Sequence, residues 1–230
     1  MRIVYLLVIA LVVLADPALA QHNLRYGFRA AANASSLDLD YSFDVDFRTE
    51  RERGFGAAAF AETALTEAVA IAAEVSYARR GYSYPISIGI GLDPSGGVES
   101  IEERLTTSLD LGSLGATARF FPLGRAPLSP YIVAGQRVDV LLRSAPGRVT
   151  RPESEWLPVE RPSYVEDSFP ALFADVSLSG VVGLGVSVER RGWPGLRAEV
   201  HYTRTATDFL VNAPVEGSVS GLDLSLGVVW

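Results

Sequence analysis

Cysteine and lysine are both missing from this 230-residue chain, and histidine occurs only twice. Without cysteine the protein has no disulfide, no thiolate metal site and no cysteine nucleophile, so burial and backbone pairing must stabilise it. All 20 basic residues are therefore arginine, and 27 acidic residues bring the net charge to −7. That balance argues against a nucleic-acid partner and against a polybasic membrane-binding site.

Long apolar runs are also missing once the N-terminus is set aside. Residues 1–20 have the features of a secretory signal peptide, with Arg2 at the start, an uncharged apolar stretch over residues 3–14 and a small-x-small cleavage sequence at the end. The apolar stretch is too short to span a bilayer, which takes about 20 residues. We therefore expect cleavage before Gln21 and an exported protein without a transmembrane helix.

What the chain does have is alternation between apolar and polar residues. It is clearest in the last ten residues, where one face is apolar and the other is small or polar. The apolar positions are Leu222, Leu224, Leu226, Val228 and Trp230. An apolar face with an aromatic end is typical of the closing strand of an outer-membrane β-barrel, whose aromatic ring sits in the interfacial girdle. Taken alone, the pattern fits a half-buried strand of a soluble sandwich equally well.

Alternation with period 2 predicts eight β-strands. They cover residues 24–33, 54–62, 68–80, 103–121, 130–142, 173–189, 195–205 and 221–230. In the fourth segment the apolar parity changes between Leu111 and Leu114. A one-residue slip moves every side chain to the other face, so we expect a β-bulge near Gly112 and Ser113 that restores the facing.

The connections between these strands alternate between long and short. The long ones are residues 34–53, 81–102, 143–172 and 206–216, and the short ones are residues 63–67, 122–129 and 190–194. A membrane barrel with long extracellular loops and short periplasmic turns has this alternation, whereas a Greek-key sandwich has no reason for it. We therefore predict an all-β fold, an eight-stranded antiparallel up-and-down transmembrane β-barrel in residues 21–230, located in the outer membrane.

Charged residues follow the polar parity of the predicted strands. They are Arg25, Arg29, Glu62, Glu74, Asp110, Arg119, Arg137, Asp139, Asp175, Glu189, Arg197, Glu199 and Asp223. Because a charge facing lipid costs up to ~2–4 kcal/mol, we expect this parity to face the interior. Eight strands leave an interior just wide enough for side chains to fill. We therefore predict an ionic interior without an open pore, in which Glu74, Arg119, Arg197 and Glu199 form one network.

Several segments resemble the PorT-like outer-membrane β-barrel family and together cover nearly all of the chain after residue 20. The similar segments are residues 54–62 with Leu65 in the following turn, residues 74–82 with Glu74, Tyr77 and Gly81, residues 109–121 with Arg119, Pro130-Tyr131 with Ala134-Gly135, and residues 195–202. Ser113 and Gly115 depart from the family, which often carries Glu and Pro there.

The resemblance implies an outer-membrane barrel of a Bacteroidetes-like bacterium, with no catalytic residues and with links to protein secretion and gliding in some members. It also implies that the barrel-assembly machinery recognises the C-terminal strand that ends at Trp230.

His201 is a candidate for acid–base chemistry. It shares a strand face with Arg197 and Glu199, which would suit a general base oriented by a carboxylate in a membrane enzyme that deacylates lipid. The same residues fit a histidine inside an interior network, and no hydroxyl stands out as the nucleophile. We assign no catalytic, cofactor-binding or metal-binding residue.

Two of the long connections have patterns of their own. Asp38, Asp40, Asp44 and Asp46 alternate with apolar residues, which fits either calcium ligands or a β-hairpin arm, and no EF-hand loop is completed. The third long connection is rich in proline and holds Trp156 and Tyr164, so it could be a recognition surface or a stiff cap.

The function that these expectations favour is a non-enzymatic outer-membrane barrel with a filled interior, either structural or binding a partner through its extracellular loops. Its expected partners are outer-membrane lipid, the barrel-assembly machinery and an extracellular or secretion-system protein. The alternative is a barrel enzyme acting on outer-membrane lipid, or a small-solute transporter.

Overall fold

The computed structural model describes residues 24–40, 49–92, 98–150, 174–189, 192–207 and 216–230. The expected signal peptide lies outside these ranges, as do Asp44, Asp46 and the proline-rich stretch with Trp156 and Tyr164. None of the described ranges contains a helix long and apolar enough to cross a membrane.

Eight strands form one closed antiparallel barrel. They are β1 (Leu24–Asp40), β2 (Glu50–Ala64), β3 (Val69–Leu92), β4 (Val98–Phe120), β5 (Leu128–Thr150), β6 (Val176–Val188), β7 (Gly195–Thr205) and β8 (Glu216–Val229). Each strand pairs with the next one along the chain, and β8 pairs with β1 to close the sheet. The predicted all-β, eight-stranded, up-and-down barrel is confirmed.

The two ends of the barrel differ. One end, which we call the turn end, carries residues 65–68, 121–127 and the C-terminal Trp230; the opposite end is the arm end. At the arm end β1 to β5 and β8 extend into the predicted long connections, whereas β7 ends at its predicted bound and β6 begins three residues later than predicted. β3 and β4 stay paired as far as Leu92 and Val98, so most of the predicted connection 81–102 is a β-hairpin arm. The alternation at Asp38 and Asp40 likewise belongs to strand β1.

Side-chain facing follows the predicted parity in nearly every strand. In β7 the burial alternates at each position, with Arg197, Glu199 and His201 buried and the apolar residues between them exposed. The same order holds in β3, where Glu74 is buried and Val75 is 58% exposed. The barrel therefore has an apolar outer surface and a polar interior, the reverse of a soluble globular protein.

The predicted bulge in β4 is wrong. β4 pairs with β3 without interruption from Phe120 to Ser100, and Leu109 and Leu111 point inward, with 0% and 3% of their surface exposed. The bulge lies instead on β5, where Leu142 is the extra residue opposite the step from Asp110 to Leu111. The side chains of β4 keep the same inward and outward alternation along the strand. The inward residues become apolar near the arm end because the interior there is an apolar cluster.

The predicted bulge also assigns one charged residue, Asp110, to the wrong face of the sheet. Asp110 was expected in the interior on the assumption of the β4 bulge, but it lies on the outer wall. There it accepts a hydrogen bond from the Tyr77 hydroxyl at 2.9 Å, and its Oδ1 lies 4.0 Å from Nε of Arg79. This polar group marks the arm-end limit of the apolar outer surface on β3 and β4.

Candidate functional site

Glu62 is the centre of the charged cluster inside the barrel. Its carboxylate is fully buried and receives two hydrogen bonds from Arg197, at 2.7 and 2.8 Å, and one from Arg119, at 2.9 Å. These residues come from β2, β7 and β4, which are far apart along the chain. Paired, hydrogen-bonded guanidinium and carboxylate groups are the form in which charge is tolerated in an interior.

Glu199 is a second centre, next to the first. It accepts hydrogen bonds from Arg29 at 3.0 Å, from Arg119 at 3.3 Å and from the Tyr131 hydroxyl at 2.6 Å. Arg29 also donates to Glu74 at 2.6 Å. Arg119 therefore links the two glutamates, and Arg29 links the second glutamate to β3.

The predicted network is confirmed, and it is larger than predicted. Glu74, Arg119, Arg197 and Glu199 are all buried members of one connected set of ion pairs. It also includes Glu62 and Arg29, which the strand parity had already placed on the interior face. The sequence could not show that Glu62 is the shared partner, because this depends on which side chains meet across the lumen.

Aromatic rings support the guanidinium groups. The Phe60 ring lies 5.2 Å from the guanidinium carbon of Arg119 and 5.6 Å from that of Arg197. Glycine makes room for these rings, since a Cβ at Gly27 would lie 2.2 Å from Phe60 and a Cβ at Gly185 would lie 2.5 Å from the Tyr131 ring. Gly185 thus leaves space for the Tyr131 ring in a crowded interior.

A further set of ion pairs lies nearer the arm end. Arg80 donates to both oxygens of Asp223, at 3.1 and 2.8 Å. Asp139 accepts hydrogen bonds from two serine hydroxyls and lies 2.9 Å from Arg137. Arg80 and Asp139 are each 2% exposed, and the side chains of their partners Asp223 and Arg137 are 12% exposed, so most of this layer is buried.

An apolar cluster follows at the arm end. It consists of Leu37, Tyr82, Leu109, Leu111 and Val219, with Leu141 packed against it. These residues come from five different strands and meet across the barrel axis. The interior is thus filled in successive layers, ionic near the turn end and apolar near the arm end.

A small cavity of about 40 Å³ lies between the ionic layers. Polar atoms without a protein partner face this region, among them Asn33 Oδ1, Glu74 Oε2, Thr117 Oγ1 and Arg80 Nε. A polar cavity of this size has room for about two or three water molecules, each needing two to four polar partners. The geometry therefore suits a few bound waters and no larger ligand.

Arg125 lies outside the strands, at the turn end of the interior. Its guanidinium is 3.5 Å from Glu62 and stacks over the Phe121 ring at 4.9 Å. Partial burial lowers the pKa of Arg125 from its ordinary value, and the charge of Glu62 opposes this shift. Arginine stays protonated in proteins, so Arg125 adds a positive charge that closes the network at this end.

His201 is buried with 3% exposure, and its Nε2 lies 3.2 Å from Glu199 Oε2. This is the interior arrangement that the sequence left open beside the catalytic one. Among the described residues, no serine or threonine hydroxyl forms a hydrogen bond with His201. Within the same ranges, no group of three His, Cys, Asp or Glu residues is placed to hold a metal ion.

Trp230 ends the barrel on its outer surface. Its backbone exchanges two hydrogen bonds with Tyr26 on β1, at 2.8 and 3.2 Å. Its ring is 58% exposed and meets Phe28 edge to face at 6.2 Å. The C-terminal residue therefore completes the seam between β8 and β1 and adds an aromatic ring to the turn end of the outer wall.

No family model and no curated protein matches the sequence. The resemblance to PorT-like barrels therefore remains a hypothesis.

Similar solved structures exist. Neisserial surface protein A is 17% identical, with a TM-score of 0.48 over 90% of this chain and 95% of that one. The outer membrane protein OprG from Pseudomonas aeruginosa is 10% identical, with a TM-score of 0.44 over 90% and 96%. Ail, the attachment invasion locus protein of Yersinia pestis, is 12% identical, with a TM-score of 0.41 over 90% and 99%. Because the identities are below 20% and the TM-scores below 0.5, these similarities support no conclusion about function. The assignment of the fold rests on the strand pairing described above.

Proposed function

We propose that this protein is a non-enzymatic β-barrel of a bacterial outer membrane, either structural or binding a partner at its arm end. The observation that carries the proposal is the inverted distribution of polarity in a closed barrel. Apolar side chains, large ones on most strands and alanines on β2, cover the outer wall, whereas ion pairs and one apolar cluster fill the interior. An outer surface of this kind is unfavourable in water, since soluble monomers rarely expose apolar patches beyond a few hundred Å².

The height of the apolar wall fits a bilayer. On β3 the outward positions are apolar from Val69 to Tyr77, and Arg79 follows. At about 3.4 Å per residue and a tilt of about 40°, this stretch is roughly 20–25 Å tall, close to the apolar band of outer-membrane barrels.

Aromatic residues lie at both limits of this band. Trp193 and Trp230 are exposed near the turn end, and Phe55 packs on Tyr77 at 6.1 Å near the arm end. Aromatic rings of this kind favour the two membrane–water interfaces. The turn end would face the periplasm and the arm end the exterior, because outer-membrane barrels have short periplasmic turns and longer extracellular loops.

The filled interior favours a non-enzymatic role without conduction. Ion pairs and an apolar cluster fill the lumen in layers, and His201 faces this interior and not the lipid. Activity would then belong to the arms beyond the membrane, where β3 and β4 extend as a long hairpin. An extracellular or secretion-system protein remains the partner that we propose for these arms.

Fractionation and gel mobility test this proposal. We expect the protein in the outer-membrane fraction, with different migration of boiled and unboiled samples on a denaturing gel. Recovery as a soluble monomer that needs no detergent would contradict it.

Planar bilayers and lipid hydrolysis test the alternative. We expect no steady conductance from the refolded barrel and no release of fatty acid from outer-membrane lipid. Steady nanosiemens conductance would favour a transporter, and hydrolysis that is lost in His201→Ala would favour a barrel enzyme.

A further inference from the structure

A pocket at the arm end is lined by residues of β2 to β5. Arg79, Thr106 and Ser108 reach it from the outward parity of their strands, whereas Arg80 and Thr107 border it from the interior side. Its volume is about 370 Å³. The side chains that matter for its chemistry are those of Glu52, Arg53, Arg79, Thr106 and Ser108. We call it the rim pocket.

Two irregularities in strand pairing flank the rim pocket, one between β2 and β3 and one between β4 and β5. Between Arg51 and Phe55, β2 has one residue more than β3 opposite it. A second shift lies between Thr106 and Ser108, where β4 pairs with β5. Bulges bend a strand and turn its side chains, and two of them at one level leave a recess in the wall.

The rim pocket lies directly beyond the apolar band. Arg79 is the Cα partner of Phe55, and Phe55 packs on Tyr77, an outward aromatic residue of β3. Residues next along the wall from an aromatic girdle are at the level of lipid headgroups. Below the pocket the exposed faces of Val75 and Leu114 are available to acyl chains.

The donors of the rim pocket suit a phosphate group. The side chain of Arg79 is 48% exposed, and its Nη2 donates to Ser108 Oγ at 3.2 Å, which holds the guanidinium against the wall. Arg53 is exposed and has no ion pair among the described residues. Two guanidinium forks match phosphate oxygens well, and the Thr106 hydroxyl lies in the same recess.

The rim pocket has one carboxylate among its lining residues, that of Glu52. Asp110 accepts a hydrogen bond from the Tyr77 hydroxyl and lies 4.0 Å from Nε of Arg79, so it offsets part of the charge of that arginine. β7 lies on the opposite wall of the barrel. Its outward arginine at the corresponding level is Arg204, which is the next outward residue after Tyr202. The paired arginines are therefore a feature of one side of the barrel.

We propose that the rim pocket binds a phosphate group of phosphorylated lipid in the outer leaflet, with Arg53 and Arg79 as its ligands. The inference rests on the proposed outer-membrane location, because the lipid must lie beside the wall. Its acyl chains cover the apolar band while its phosphate is held at the rim. A free phosphate ion shares this chemistry, and the apolar wall beneath the pocket favours the lipid.

Native mass spectrometry of the refolded protein in detergent tests this proposal. The probes are bisphosphorylated lipid A, the same lipid after enzymatic removal of its phosphates, and inorganic phosphate as a competitor. We expect preferential retention of the phosphorylated lipid. Arg53→Gln and Arg79→Gln should each weaken binding about fivefold and the double variant about 25-fold, the usual effect of one arginine at an anionic membrane surface.

Arg204→Gln is the matched control, because it removes an equally outward arginine from the far wall. It should bind the phosphorylated lipid as the wild type does. Equal retention of both lipids, or an equal loss in Arg204→Gln, would overturn the proposal. Displacement of the lipid by millimolar inorganic phosphate would assign the pocket to free phosphate and overturn the lipid assignment.

The same preparation separates this inference from the proposed function. A barrel that inserts into vesicles and shows heat-modifiable mobility, yet does not discriminate between the two lipids, refutes the rim pocket alone. A protein that fails to insert refutes both.

Discussion

Glu62→Gln removes the charge on which the interior network converges. Arg119 and Arg197 both donate to this carboxylate, and all three side chains are at most 2% exposed. Removing one partner of a buried ion pair typically costs ~3–5 kcal/mol, because the remaining charge is left uncompensated. Glutamine keeps one acceptor oxygen, and Glu199 still binds Arg119. We therefore expect Glu62→Gln to lower the free energy of unfolding by about 3 kcal/mol and Glu62→Leu by about 5 kcal/mol.

Urea unfolding of the barrel refolded into phospholipid vesicles measures this effect. Tryptophan fluorescence reports on the folded wall, and gel mobility reports independently on barrel closure. The matched control is Glu189→Gln. Glu189 pairs with Arg25 at 2.5 Å, but the two side chains are 32% and 22% exposed. A partly hydrated pair of this kind is worth about 1 kcal/mol or less, so the control should unfold close to the wild type.

The comparison can fail in two ways. If Glu62→Gln is no less stable than Glu189→Gln, water reaches the network and the filled interior is wrong. If Arg197→Met restores the stability of Glu62→Leu completely, Arg197 alone accounts for the cost, and the proposed sharing of Glu62 with Arg119 is wrong.

Three further predictions concern the wall and the packing of the interior. Val75→Arg places a charge on the outer face and should cost ~2–4 kcal/mol in vesicle unfolding, whereas Ser76→Ala on the inner face should cost less than about 1 kcal/mol; the reverse order would invert the assignment of inside and outside. Trp230→Asp should reduce the amount of barrel in the outer membrane of cells, measured by immunoblotting of membrane fractions, and unchanged levels would count against a role of this residue in assembly. Gly185→Ala should destabilise by ~1–3 kcal/mol because its Cβ would lie 2.5 Å from the Tyr131 ring, and Tyr131→Ala in the same chain should relieve that strain; equal destabilisation with and without Tyr131 would exclude the steric cause.

The sequence alone determined the number of strands and the facing of most of their side chains. Alternation is a local property, since successive side chains of a strand point to opposite faces whatever the neighbouring strands are. For this reason Gly195–Thr205 was predicted with its observed bounds, and Glu74, Arg119, Arg197 and Glu199 were placed on the interior face before their partners were known.

Only the tertiary structure decided what these side chains meet. Leu109 and Leu111 look like outer-wall residues in the sequence, but they are buried at the barrel axis, because an apolar cluster from five strands closes the arm end. Likewise, the register between strands brings Glu62 to two arginines and moves the bulge from β4 to Leu142 on β5. Register and barrel closure are relations between distant segments, and no pattern within a single strand contains them.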